Sequence, residues 1–254
     1  MTNYDVKLDM RFFCVIILMM MSFVSNAQTF ESSNQRVSLI ELYTSEGCSS
    51  CPPADRWLSS FVGDDNLWSK VVPLAFHVDY WDYIGWKDPY ASKEYSQRQR
   101  RYAHQFKEST VYTPGIRKNG EEWRSWRFFG NPVTQHKGDA GKVSITVDKE
   151  GGFVASYEQS AEKKTNNEAL QLNVAILGVG ISNDVTRGEN RGKTLEHDFI
   201  VLGMSRYASF DENQWKGELP QSSANAPRYA IAVWVTQGQN LEPIQATGGY
   251  LANR

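Results

Sequence analysis

The stretch that most constrains the fold is an apolar run, Val37-Ser38-Leu39-Ile40-Glu41-Leu42-Tyr43, which passes through Thr44-Ser45-Glu46-Gly47 into Cys48-Ser49-Ser50-Cys51-Pro52-Pro53. The run is β-rich and mostly apolar, as a buried strand requires. Thr44 to Gly47 reads as a turn. Pro52 and Pro53 suit a first helical turn, where a missing N–H costs nothing. A short helix is expected from there to about Phe61, closed by Gly63. The two cysteines of a Cys-x-x-Cys spacing are thereby set at a strand-to-helix junction.

A second, almost continuously apolar run extends from Val71 to about Asp79, which favours a parallel strand covered on both faces. An aromatic loop, Tyr80 to Tyr90, follows. Tyr95, Tyr102 and Phe106 recur at helical spacing among charges, predicting an amphipathic helix over 92–106. Val111 to Pro114 opens an extended segment, and Asn119-Gly120 signals a hairpin into Glu121 to Phe129. Gly and polar residues from Gly130 to Lys142 mark a boundary. Beyond it, strand-like runs cover Lys142–Asp148, Gly152–Glu158, Ala169–Ile181, Thr194–Met204 and Tyr229–Gln237, a pattern that predicts an antiparallel sandwich. The expected division is a signal peptide over 1–27, a flexible lead-in over 28–36, a first domain over 37–138 and a β-rich domain over 141–254.

The signal peptide rests on Lys7 and Arg11, a 13-residue apolar run from Phe12 to Val24, and small residues leading to cleavage after Ala27. The run is shorter than the ~20 residues of a membrane-spanning helix. The expected location is periplasmic or secreted, with no integral membrane segment after cleavage. Removing Cys14 with the leader leaves Cys48 and Cys51 as a pair in an oxidising compartment. A formal net charge of −2, with no basic run, excludes nucleic acid as an expected partner.

Thiolates are the reactive form of cysteine, and helix N-termini favour them. Cys48 is therefore expected as an exposed nucleophile that attacks a disulfide, with Cys51 as the resolving thiol. The partners would be protein or small-molecule thiols and disulfides, with no cofactor or metal beyond the Cys48–Cys51 disulfide. Other readings share the spacing: a structural disulfide, a copper(I) carrier built on two soft thiolates, or a scaffold on which the β-rich part docks a partner. Glu41 either accepts the Cys51 proton or faces water from a strand edge. His77, Asp79 and Trp81 alternate towards one face, where His77 tunes the thiolate, holds Asp79, or fills the core. Trp81 and Trp86, with Tyr83 and Tyr90, form either a substrate-docking surface or a packed lid.

The segments ELYTSEGCSSCPPAD, FHVDYWDYIGWKDPYAS with QRQRRYA, VYTPGIRKNG and RGENRGKTLEHDFIVL resemble the secreted thioredoxin-like bacterial family catalogued as domain of unknown function 1223. The resemblance implies an α/β thioredoxin-like domain followed by a mostly-β, sandwich-like C-terminal domain. It implies that Thr113-Pro114 is a cis peptide facing the cysteine pair and lining the substrate groove. It also implies that Glu41 is similar to the buried acid of thioredoxin. Ser49-Ser50 stands where thioredoxin has Gly-Pro, and no histidine neighbours Cys51.

Overall fold

The computed structural model describes residues 27–127, 138–160, 169–209 and 213–252. The two continuous apolar runs form β2 (Ser38–Thr44) and β3 (Val71–His77), paired in parallel from Ser38 opposite Val71 to Thr44 opposite His77. Both strands are buried at every position because each sheet face is covered. One face carries α1 (Pro52–Ser59), which continues as a 3-10 turn over Ser60–Gly63. The other carries α2 (Lys93–Gln105), whose first turn is capped by the Ser92 hydroxyl accepting from the Glu94 N–H at 3.2 Å. Beside β2 runs the antiparallel β4 (Gly115–Lys118), which turns through Asn119 and Gly120, both at positive φ, into β5 (Glu121–Glu122). Positive φ at both turn positions is what selects Asn-Gly there. The strand expected to reach Phe129 is only those two residues before a 3-10 turn, and Phe129 itself lies outside the described residues.

The opposite edge of β3 decides the architecture. There β11 (Ile200–Ala208) lies parallel to β3, with Ile200 opposite Ala75. Beyond it come β8 (Leu170–Val179), β13 (Arg228–Gln237) and β14 (Gln245–Tyr250), each antiparallel to the strand before it. The result is one eight-stranded sheet in the order β14-β13-β8-β11-β3-β2-β4-β5. A four-stranded sheet of β1 (Gln28–Glu31), β6 (Lys142–Val147), β7 (Gly152–Glu158) and β12 (Gln214–Glu218) stacks on its far end. Val143, Ile145, Phe153 and Trp215 meet Leu172, Val174, Ile231 and Val233 between the sheets. Burying each such aliphatic side chain contributes roughly 1.5–3 kcal/mol. A hairpin of β9 (Ile181–Val185) and β10 (Lys193–His197) folds over α1.

The expected α/β thioredoxin-like domain followed by a separate β-rich domain is therefore incorrect. The protein is mostly β, a multi-sheet sandwich-like arrangement with a few short helices. The main sheet runs across the expected boundary, its β14-β13-β8-β11 half joined to its β3-β2-β4-β5 half where Ile200 pairs with Ala75. Residues 28–36, expected as a flexible lead-in, instead hold β1, paired with β6 from Gln28 opposite Val147 to Glu31 opposite Ser144. The single strand expected over Thr194–Met204 is split between β10 and β11, with Phe199 at φ 60° in the break. The leader, apart from Ala27, lies outside the described residues.

Candidate functional site

Cys48 and Cys51 form a disulfide at the start of α1. Cys51 is the N-cap residue, and its carbonyl accepts from the N–H groups of Ala54 (2.8 Å) and Asp55 (3.2 Å). Contrary to the exposed nucleophile expected from the sequence, Cys48 is only 1% exposed and Cys51 fully buried. Ser49 and Ser50 face solvent, and the Ser50 hydroxyl lies 3.4 Å from the Cys48 sulfur.

The cover comes from the loop between β9 and β10. Asn190 is fully buried and donates from its amide to the carbonyls of Glu46 (2.8 Å) and Cys48 (3.0 Å). The Ser49 N–H donates to the Glu189 carboxylate at 3.1 Å. The aromatic loop closes another side. A Cβ on Gly47 would lie 3.0 Å from the Trp81 Cβ, so a larger residue there would push Trp81 back by a few tenths of an ångström. The Trp81 indole N–H donates to the Thr113 hydroxyl at 2.7 Å, joining the cysteine turn to the cis peptide Thr113-Pro114. Pro114 is buried. The Trp86 indole N–H is bound to Glu46 at 2.8 Å, so both tryptophans are half-buried and tied in place, while Tyr83 is 81% exposed.

Beneath the pair, a buried polar cluster gathers on the α1 face of the sheet. Asp55 follows Cys51 by four residues and shares its helix face. Thr44 donates to the Asp55 carboxylate at 3.1 Å. Burial pushes the Asp55 carboxyl above the ordinary aspartate range, and the nearby His197 and His77 only partly offset it. His77 lies directly opposite Thr44 and bonds Asp88 at 2.7 Å through Nδ1. Burial alone would lower the His77 pKa, but Asp88 outweighs it and raises it. Asp88 also accepts from the Glu46 N–H at 2.8 Å, and the buried Glu46 carboxylate takes His197 (3.2 Å) and Asn183. The His77 and His197 rings are 5.0 Å apart. Asp55 Oδ1, His77 Nε2 and His197 Nδ1 are buried without a hydrogen-bond partner among the described residues. Among those residues no three His, Cys, Asp or Glu side chains are placed to hold a metal ion.

Glu41 is elsewhere. Side chains alternate along β2, so with Thr44 facing α1, Glu41 and Tyr43 face α2. There Arg98 grips Glu41 in two hydrogen bonds of 2.8 and 2.9 Å, and Tyr102 and Tyr43 donate to it at 2.6 and 2.9 Å. Burial would raise the Glu41 pKa, but Arg98 and the phenols pull it below the ordinary value. This acid is held ionised across the sheet from Cys51, unlike Asp55. Asp79 is not held by His77. It accepts from Ser96 at 2.5 Å in a 3-10 turn that begins where β3 has ended, which breaks the expected alternation.

Residues 39–236 match the family described as "Protein of unknown function (DUF1223)". The chain belongs to this family. No curated protein matches it. Similar solved structures include a crystal structure of an Agrobacterium tumefaciens protein, with a TM-score of 0.58 and 24% identity, covering 87% of this chain and 97% of that one. HBP35 of Porphyromonas gingivalis is similar at a TM-score of 0.52 and 13% identity, covering 87% of this chain and 76% of that one. At such identities the likeness concerns the fold alone. In this DUF1223 chain, the residues that sequence reasoning passed over sit inside the very segments that carry the family resemblance. Glu46 and Asp55 flank the cysteines, Asp88 lies in the aromatic loop, and Asn190 and His197 lie in RGENRGKTLEHDFIVL. Their signal was present, but nothing in one chain says that a segment 140 residues downstream covers the cysteines.

Proposed function

We propose that this protein is an exported thiol–disulfide oxidoreductase in which Cys48 is the nucleophile and Cys51 the resolving thiol. The observation that carries the reading is the Cys48–Cys51 disulfide at the head of α1, backed by the buried Asp55 whose carboxyl is pushed up. In the reduced form, the Cys48 thiolate attacks one sulfur of a substrate disulfide, forming a mixed disulfide and releasing the other substrate sulfur as a thiolate. Cys51 then gives its proton to Asp55 and attacks the Cys48 sulfur. The second substrate sulfur leaves, the Cys48–Cys51 bond closes, and two electrons have passed to the substrate. Run backwards, the same steps oxidise a dithiol. Because Cys48 is buried, exchange requires the 186–192 loop or the aromatic loop to move aside.

The burial of both sulfurs favours one competing reading, a locked cross-link. Cys51→Ala separates the two. Reduced Cys51→Ala protein incubated with oxidised glutathione is expected to gain one glutathione on Cys48, as read by intact mass under native conditions. Wild-type protein treated with dithiothreitol is expected to open and reclose its disulfide. A Cys48 that stays free of glutathione and of iodoacetamide until denaturant is added would leave the pair a structural cross-link.

A further inference from the structure

On the α2 face of the main sheet, away from the cysteines, lies an open cleft of about 1040 Å³ between α2 and β11. Its volume is at the upper end of ordinary small-molecule sites. Arg101 on α2 and Arg206 on β11 line it from opposite walls, and Met204 and Leu241 supply apolar lining. Glu94 is the one acid among the lining residues. Arg98 also reaches the cleft, but its charge is already matched by Glu41. Arg101 and Arg206 have no ion-pair partner among the described residues.

Arg206 is fixed in place. Its guanidinium donates to the Gly238 carbonyl and, at 3.5 Å, to Gln239, while its Nε is buried without a partner. The Arg206 pKa is lowered, first by burial and then by facing Arg101 and Arg98. Arg206 thus presents to the cleft a partly desolvated charge without an ion-pair partner among the described residues, and a guanidinium fork is shaped for carboxylate or phosphate oxygens.

We propose that this cleft binds an organic anion with an apolar body, its carboxylate or phosphate held between Arg101 and Arg206 and its apolar part resting on Met204 and Leu241. The site is independent of the cysteine chemistry and stands or falls separately from it.

Calorimetric titration of the full mature chain with decanoate, decan-1-ol and inorganic phosphate tests the assignment. Decanoate is expected to bind one per protein, at least about tenfold more tightly than decan-1-ol, because the alcohol offers no charge to the arginines. Phosphate without an apolar body is expected to be weaker than decanoate and to compete with it. Arg206→Gln is expected to weaken decanoate about tenfold, with its melting profile showing that it folds. The exposed Arg101→Gln, which cannot disturb the core, is expected to weaken it several-fold. Equal binding of acid and alcohol, no binding of decanoate, or decanoate affinity unchanged in Arg101→Gln would each overturn the proposal.

Discussion

At Asp55 and Glu41 the same residue chemistry is driven in opposite directions by what surrounds it. Both carboxyls are buried. Glu41 has a guanidinium and two phenols to hold its charge, so it stays ionised. Asp55 has one hydroxyl and two imidazoles, which do not make up for lost hydration. A folded-state pKa raised in this way contributes stability that is fully present below the unfolded carboxylate pKa and is lost as pH rises through the folded value. Asp55→Asn, which cannot ionise, is therefore expected to melt above the wild type at about pH 8, with the difference closing towards about pH 3. The same variant is expected to slow closure of the Cys48 mixed disulfide by about a hundredfold, the usual worth of a positioned proton acceptor. Stopped-flow fluorescence would read the second effect. Unchanged closure with the stability shift intact would remove Asp55 from the proton path.

At the scale of elements, the β9–β10 hairpin is the piece whose position matters most. It buries Cys48 through two hydrogen bonds from one amide, on Asn190. Losing those bonds to buried carbonyls costs about 1–3 kcal/mol of local closure, and an opening favoured by that much exposes the disulfide roughly five- to 150-fold more often. Asn190→Ala is thus expected to speed reduction of Cys48–Cys51 by dithiothreitol within that range, followed by alkylation and mass analysis. A rate equal to wild type would mean that another element guards the sulfurs. The hairpin's strands were half legible. Alternation and turn residues mark Thr194 onwards as extended, yet the chain break at Asp198-Phe199 comes from a left-handed Phe199 that no local pattern announces. Likewise Asp79 reads as a continuation of β3, and it is the Ser96 hydroxyl on α2 that draws it into a turn.

For the whole molecule, the decisive contact is between β3 and β11, since it welds the two halves of the chain into one sheet. A fragment ending at Gly141 would leave the outer edge of β3 without hydrogen-bond partners and would strip the cover from Cys48. Such a fragment is expected to lack a cooperative unfolding transition in urea, whereas the full chain is expected to unfold cooperatively. A fragment with a sharp transition of its own would restore a division near residue 141. Among the described residues no helix is long and apolar enough to cross a membrane.

The sequence by itself determined what is local. β2, α1, β3 and α2 follow from apolar periodicity and the two prolines, because these act within one or two turns of chain. It also determined that Cys48 and Cys51 lie at a strand-to-helix junction. The tertiary structure alone decided which strand borders β3 and how far Cys48 is from solvent. Each of those depends on pairing and burial between segments more than a hundred residues apart, where hydrogen bonding and desolvation are set by the partner and not by the neighbouring sequence.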